Sequence, residues 1–145
     1  MLEEIRAHLH ATLPAARWNG VEVAEDIDIL AARAGQVDDS TLIVMPWREG
    51  ASPQALMTGG FRQRIEIQFL TGIVLREYDQ RMGGTRAARF DALKADLEAA
   101  LAGWQPPSAT EYCELIGGES SPIDTGVSIY VQTWATARFL TGANP

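Results

Sequence analysis

Apolar residues recur at every second position between Phe61 and Leu75, the longest regular pattern in the chain. Phe61, Ile65, Ile67, Phe69, Ile73 and Leu75 fall at odd positions; Arg62, Arg64, Glu66, Gln68 and Arg76 fall at even ones. A period of two predicts a strand over 61–77 with one face in a core and one face wet. At about 3.3 Å per residue it would run roughly 55 Å. A domain of this size is only about 40 Å across. The strand must bend or project, and Gly72 is the expected place for a bulge.

Elsewhere the pattern has other periods. Leu2, Ile5, Leu9 and Leu13 recur at three- and four-residue steps and predict a helix over 2–13, ended by Pro14. Residues 17–23 form a link with room for a brief edge strand. A second helix over 24–34 carries Ile27, Leu30, Ala31 and Ala34 on one stripe, acids in its first turns and Gly35 at its end. The apolar run Thr41–Pro46 predicts a buried strand, and Gly50, Pro53 and Gly59-Gly60 predict a loop over 49–60. After a Gly83-Gly84 turn, Thr85 is the expected cap of a helix to Ala102, striped by Phe90, Leu93, Leu97 and Leu101. Residues 112–116 and 126–140 read as two final strands. In the last, Val127, Ile129, Val131 and Phe139 share one face; Tyr130, Gln132, Trp134 and Arg138 share the other. The order α-α-β-β-α-β-β predicts an α+β fold. It consists of a single, mostly antiparallel sheet of about four strands with three helices packed on it, one strand being unusually long.

Composition bounds this picture. With 145 residues, 46% of them hydrophobic, one domain over 1–145 can bury a core without staples. The lone cysteine, Cys113, rules out a disulfide within the chain. No apolar run reaches 18 residues, so no membrane helix is expected, and the acidic, amphipathic start Met1-Leu2-Glu3-Glu4-Ile5 does not read as a signal peptide. The formal charge of −7 argues against holding a nucleic-acid backbone, while suiting a surface past which DNA slides without sticking.

Candidate chemistry is sparse. His8 and His10 are two apart on a helix, point away from each other and read as solvated. Cys113 reads as a small core residue. There is no nucleophile elbow, phosphate loop or dinucleotide fingerprint. The acids at 25–28 and 38–39 lack the spacing of a calcium loop. No catalytic residue, metal site or cofactor is expected. The arginines Arg81, Arg86 and Arg89 flank a glycine turn at a helix start, an arrangement with the makings of a small anion-binding site. They also run against the helix dipole, so they are expected to meet carboxylates, with a neighbouring subunit as the expected source. Tyr130 and Trp134, opposite the aliphatic face, are candidates for a partner surface unless the N-terminal helices cover them. The wet face of the long strand, Arg62, Arg64, Glu66 and Gln68, is the first candidate for a subunit contact.

Several runs together resemble one family: Phe69–Arg81, Arg89–Leu97, Ala100–Pro106, Tyr130–Trp134 and Thr136–Phe139. They look like the tail terminator-like (tail completion) proteins of Mu-like and related long-tailed bacteriophages, over roughly residues 60–140. The family's Asp-x-Arg-Gly-Gly turn here carries an inserted Met82. The resemblance implies a structural virion protein, not an enzyme, in the neck region of the tail, assembled in the host cytoplasm. It implies a hexameric ring that caps the head-proximal end of the tail tube, stops its polymerisation and offers a docking surface to the head connector. Its partners would be itself, the tail tube protein and the head-closure protein, with DNA passing through the lumen without specific binding. A neighbouring head-closure or tail-completion adaptor is the alternative.

Overall fold

The computed structural model describes residues 1–54, 56, 59–76, 83–124 and 126–142. In chain order these form α1 (Leu2–Thr12), β1 (Gly20–Val23), α2 (Ile27–Ala34), β2 (Thr41–Ala51), β3 (Arg62–Arg76), α3 (Gly83–Leu101), β4 (Glu114–Asp124) and β5 (Val127–Thr141). The sheet has five strands in the order β1-β2-β3-β5-β4, against the four expected. The extra strand lies in the predicted link: β1 pairs parallel with β2, and α2 makes the crossover between them. All other pairings are antiparallel.

Helices cover both faces of the sheet. Strand alternation sends Leu42, Val44, Phe69, Ile73 and Trp134 to one face, where they pack with Ile5 and Leu9 of α1 and Leu93 and Leu97 of α3. It sends Ile43, Met45, Leu70, Val74 and Ile129 to the other, where they meet Leu30 and Ala34 of α2. The expectation of a wet face on β3 therefore fails over its second half: residues 69–74 are all buried. The continuous run Leu70-Thr71-Gly72-Ile73-Val74 is what a strand buried on both sides requires.

Gly72 does not bend the strand. β3 runs in unbroken register with β5 from Arg62↔Thr141 to Arg76↔Val127. Gly72 is needed for space instead: a Cβ there would lie 2.5 Å from Ile129 Cδ1. The bulge is in β2, where Trp47 is the extra residue between Pro46 (opposite Phe69) and Arg48 (opposite Gln68). Pro46 has no N–H to donate, and β1 stops pairing at Val44, so the proline lies where the ladder on that side has ended. Past the bulge β2 continues to Ala51, and β4 runs through Gly117-Gly118 to Asp124; these stretches were expected as loops.

Both ends of α2 are tied by side chains. Asp26 caps α2 by accepting from Ile29 N at 2.9 Å. At the other end Arg76 donates to the carbonyls of Val37 (2.6 Å) and Gly35 (2.5 Å), placing a cation on the negative end of the helix. Gly35 closes the helix with φ −73°, with no left-handed turn.

Candidate assembly surfaces

The helices cover only part of the sheet. Ile5 and Leu9, Leu93 and Leu97, Leu30 and Ala34 reach the strand residues 42–45, 69–74 and 127–134. Beyond Met45 and before Phe69 the strands run on: Arg48–Ala51 pairs with Ile65–Gln68, and residues 62–68 pair with 135–141. Residues 46–51 of β2 are all exposed, and Ile65 is the one fully buried residue among 62–68. On β5 residues 135–137 are buried as well; this three-stranded extension beyond the helices is called the arm below.

The four candidates on β3 lie on the arm. Arg64 donates to both carboxylate oxygens of Glu111, at 2.7 and 2.9 Å. That hydrogen bonding holds the Glu111 carboxyl below its usual range and raises the guanidinium. Gln68 donates to Glu66 at 3.1 Å. Arg62 is exposed, 3.8 Å from the centroid of the Phe139 ring. Sequence reasoning missed the other arm residues, Trp47, Arg48, Glu49 and Phe139. The aromatic after Pro46 was the available signal.

The helix-start arginines divide differently. Arg81 lies outside the described residues. Arg89 does not wait for a neighbouring subunit: it pairs with Asp39 of its own chain and donates to Ser40 Oγ at 2.9 Å. Asp39 also accepts from Arg76 N at 2.7 Å, so α3 and β3 converge on it. Ser40 holds a positive φ of 64° and donates its N–H to Val74 O at 2.8 Å. Arg89 therefore works as a tie between elements, which weakens the anion-site expectation. Arg86 is half-buried at the start of α3. Further along α3, Asp96 accepts both Arg17 (2.7 Å twice) and Trp18 Nε1 (3.1 Å), and the Arg17 contact holds its carboxyl below the usual range.

Trp134 is corrected from partner surface to core. It is fully buried under α1 and α3, and its Nε1 donates to Thr71 Oγ1 at 3.1 Å. Tyr130 is half-buried, edge-on to Phe90 with ring centroids 5.0 Å apart. Its hydroxyl occupies space that a side chain at residue 118 would need, which accounts for Gly118 in mid-strand. His8 is not simply solvated: it stacks on Trp104 at 3.8 Å and its Nε2 lies 2.8 Å from Ala100 O, joining α1 to the end of α3. Cys113 is buried, and burial pushes its thiol up to about 12, so it is no nucleophile at neutral pH.

On the α2 face the cover is short. α2 spans β2 and β3, while β5 and β4 carry an apolar trough walled by Ile27, Trp47, Ile116, Ile123 and Val131. Ile27 is 52%, Trp47 44% and Ile116 55% exposed.

No cluster of three metal-ligating side chains occurs among the described residues, and no helix among them is long and apolar enough to cross a membrane. A protein-family model described as Phage tail terminator protein matches residues 1–144. Curated proteins gave no match.

Proposed function

The chain belongs to the phage tail terminator family, which makes it a structural protein of the virion tail, and from that premise we propose that it assembles into a closed, hexameric ring on the head-proximal end of the tail tube. The ring ends tube polymerisation and presents the surface to which the head-closure protein docks. The observation that carries this reading is the arm, a length of paired sheet that its own helices do not cover. Apart from Ile65 and residues 135–137 this extension buries little within its own chain, and its exposed part is suited to a neighbour. An arm that reaches a different surface on the next copy makes a head-to-tail contact, and head-to-tail contacts that close give rings. Arg62, Arg64, Glu66 and Gln68 are the contact residues within this reading. The acidic balance of −7 suits a lumen through which DNA passes without binding.

The test is tube length. Tail tube protein polymerised with and without this chain is imaged by electron microscopy. Capped tubes of limited length carrying one ring at one end support the reading. Tubes of unchanged length distribution with bare ends overturn it. Rings that bind the connector but leave tube growth unaffected would move the chain to the head-closure role.

A further inference from the structure

Backbone hydrogen bonding leaves two edges of the sheet open. β4 ends the sheet on one side: its residues 117–122 pair in unbroken register with residues 128–133 of β5, and no backbone hydrogen bond reaches its outer edge among the described residues. On the opposite side β1 pairs with residues 41–44 of β2, and Ala24 N donates to Val44 O. Beyond that point β2 runs on to Ala51 with no backbone partner on this edge among the described residues. The order β2-β3-β5-β4 puts the two edges on opposite sides of the sheet, three strand spacings or about 14 Å apart.

An edge of this kind is a template for another strand unless charge, proline or shortness guards it. Residues 46–51, 114–116 and 118–122 are exposed, and β4 carries neither lysine nor arginine. Trp47 on one edge and Leu115 and Ile116 on the other leave apolar surface in water. What an open edge takes is set by its own chemistry, an extended backbone.

Three observations pick the open edge of β2 as the partner of β4. The first is direction. Each step from β2 through β3 and β5 to β4 is antiparallel, so β4 runs opposite to β2. Rotation about a ring axis keeps strand direction, and the next copy presents its β2 antiparallel to β4. The second is charge. Glu119 forms no ion pair among the described residues, and Arg48 lies over the Trp47 ring without a carboxylate partner. By register Glu119 shares the face of Val131, and Arg48 that of Leu70, both on the α2 side. A sheet continued across copies keeps them on one face. The third is stagger. Through the ladder Glu119 is level with Val131, Gly72 and Ile43, where β1 holds the edge of β2. To face Arg48 or Gly50 instead it shifts by about four or six residues, the bulged Trp47 discounted, which over four strands is a tilt of roughly 35–45°, the range in which sheets close on themselves.

We infer that β4 adds to the 47–51 edge of β2 in a second copy of this chain, so that the sheet continues from subunit to subunit. Each copy gives one edge and takes one. The inference rests on the ring reading and names the backbone edges that join the ring.

Disulfide trapping tests it. Opposed residues of antiparallel strands have Cα atoms about 4.5–5.5 Å apart, within reach of a disulfide. Gly50 and Gly117 have open space at their Cβ positions, and Cys113 is buried. The variants are Gly50→Cys with Gly117→Cys, Gly50→Cys with Glu119→Cys, and each single change, oxidised with tail tubes present. One of the two pairs is expected to give a ladder of linked chains ending at the ring size, and the single changes none. Proline is the second test, because successive residues of a strand send their N–H groups to opposite sides. Of Glu119→Pro and Ser120→Pro, one is expected to lose a bond to β5 and melt lower. The other is expected to fold normally by circular dichroism and to self-associate about tenfold more weakly or worse. Imaged rings that give no ladder with either pair, or proline variants that both assemble as wild type, overturn the inference and leave the ring reading standing. Linked dimers from Glu119→Cys alone pair β4 with β4 and also overturn it. A wild-type chain that forms no ring with tubes present overturns both.

Discussion

The two halves of the sheet use the same strands for different ends. In the covered half, residues 42–45 and 69–74 are pressed between α1 and α3 on one side and α2 on the other, and Tyr130 and Trp134 of β5 pack in the α1 and α3 core. In the half bare of helices, the same β2, β3 and β5 continue paired; residues 46–51 and Arg62 are exposed, whereas residues 135–137 are buried and bonded to Thr110 and Glu111. β2, β3 and β5 are paired in both halves, but β1, most of β4 and the helices belong to the covered half. Backbone pairing alone leaves an extended sheet marginal without an apolar face to bury. The covered half therefore supplies stability, and the bare half is held in shape by being continuous with it. Mutations should separate along this line.

The largest effect is expected at Trp134. Trp134→Ala removes a fully buried indole and orphans the Thr71 hydroxyl, and should cost about 3–5 kcal/mol in urea unfolding. On the arm, Trp47→Ala should cost about 1 kcal/mol or less, because that ring is 44% exposed. Equal losses would erase the distinction.

A matched glycine pair gives the next contrast. Gly72→Ala forces a methyl to within 2.5 Å of Ile129 Cδ1 inside the α2-face core, and should destabilise by about 1–3 kcal/mol. Gly50→Ala, on the arm with nothing within 4 Å of its Cβ position, should stay within about 0.5 kcal/mol. Thermal melts of the two variants side by side make the comparison.

The smallest effect concerns acid. The carboxyls of Glu4, Asp96 and Glu111 are held below their ordinary values by hydrogen bonds from Ser108, Arg17 and Arg64. A depressed folded value means that the contribution is present above the unfolded value and is lost as pH falls through the folded one. Stability should be insensitive to these groups from neutrality down to about pH 5 and decline below about pH 4. Glu111 is exposed while Glu4 and Asp96 are partly buried, so the Glu111 contribution should be the most screened of the three. Urea midpoints measured between pH 7 and pH 3 check this, and Arg64→Ala should remove only the Glu111 part of the slope.

The fold was legible where one period dominated. The stripe Leu2-Ile5-Leu9 and the alternation Ile65-Ile67-Phe69 gave α1 and β3 within a residue or two. Legibility failed where residues serve sheet geometry rather than burial. Residues 48–51, with exposed arginine, glutamate and glycine, carry no apolar alternation, yet each of them pairs with β3. Gly117-Gly118 reads as a turn, while Gly118 clears space for the Tyr130 hydroxyl from across the ladder. Trp134 looked displayed because its strand neighbours are polar, and only the helix above it decides that its face is core. Arg89 looked like an offered cation because its partner Asp39 is fifty residues away in sequence and adjacent in space. The local signals were real, and the long-range partner gave each its meaning.

Hydrogen exchange read by mass spectrometry tests most directly the claim that the bare half exists for a neighbour. Amides of residues 47–51, 62–68 and 135–141 would be followed in the chain alone and in the chain assembled on tail tubes. The account predicts that these amides gain protection on assembly while those of 42–45 and 69–74, already covered, change little. Protection gained only in the helix-covered half, with the arm exchanging as fast on the tube as off it, would contradict the account.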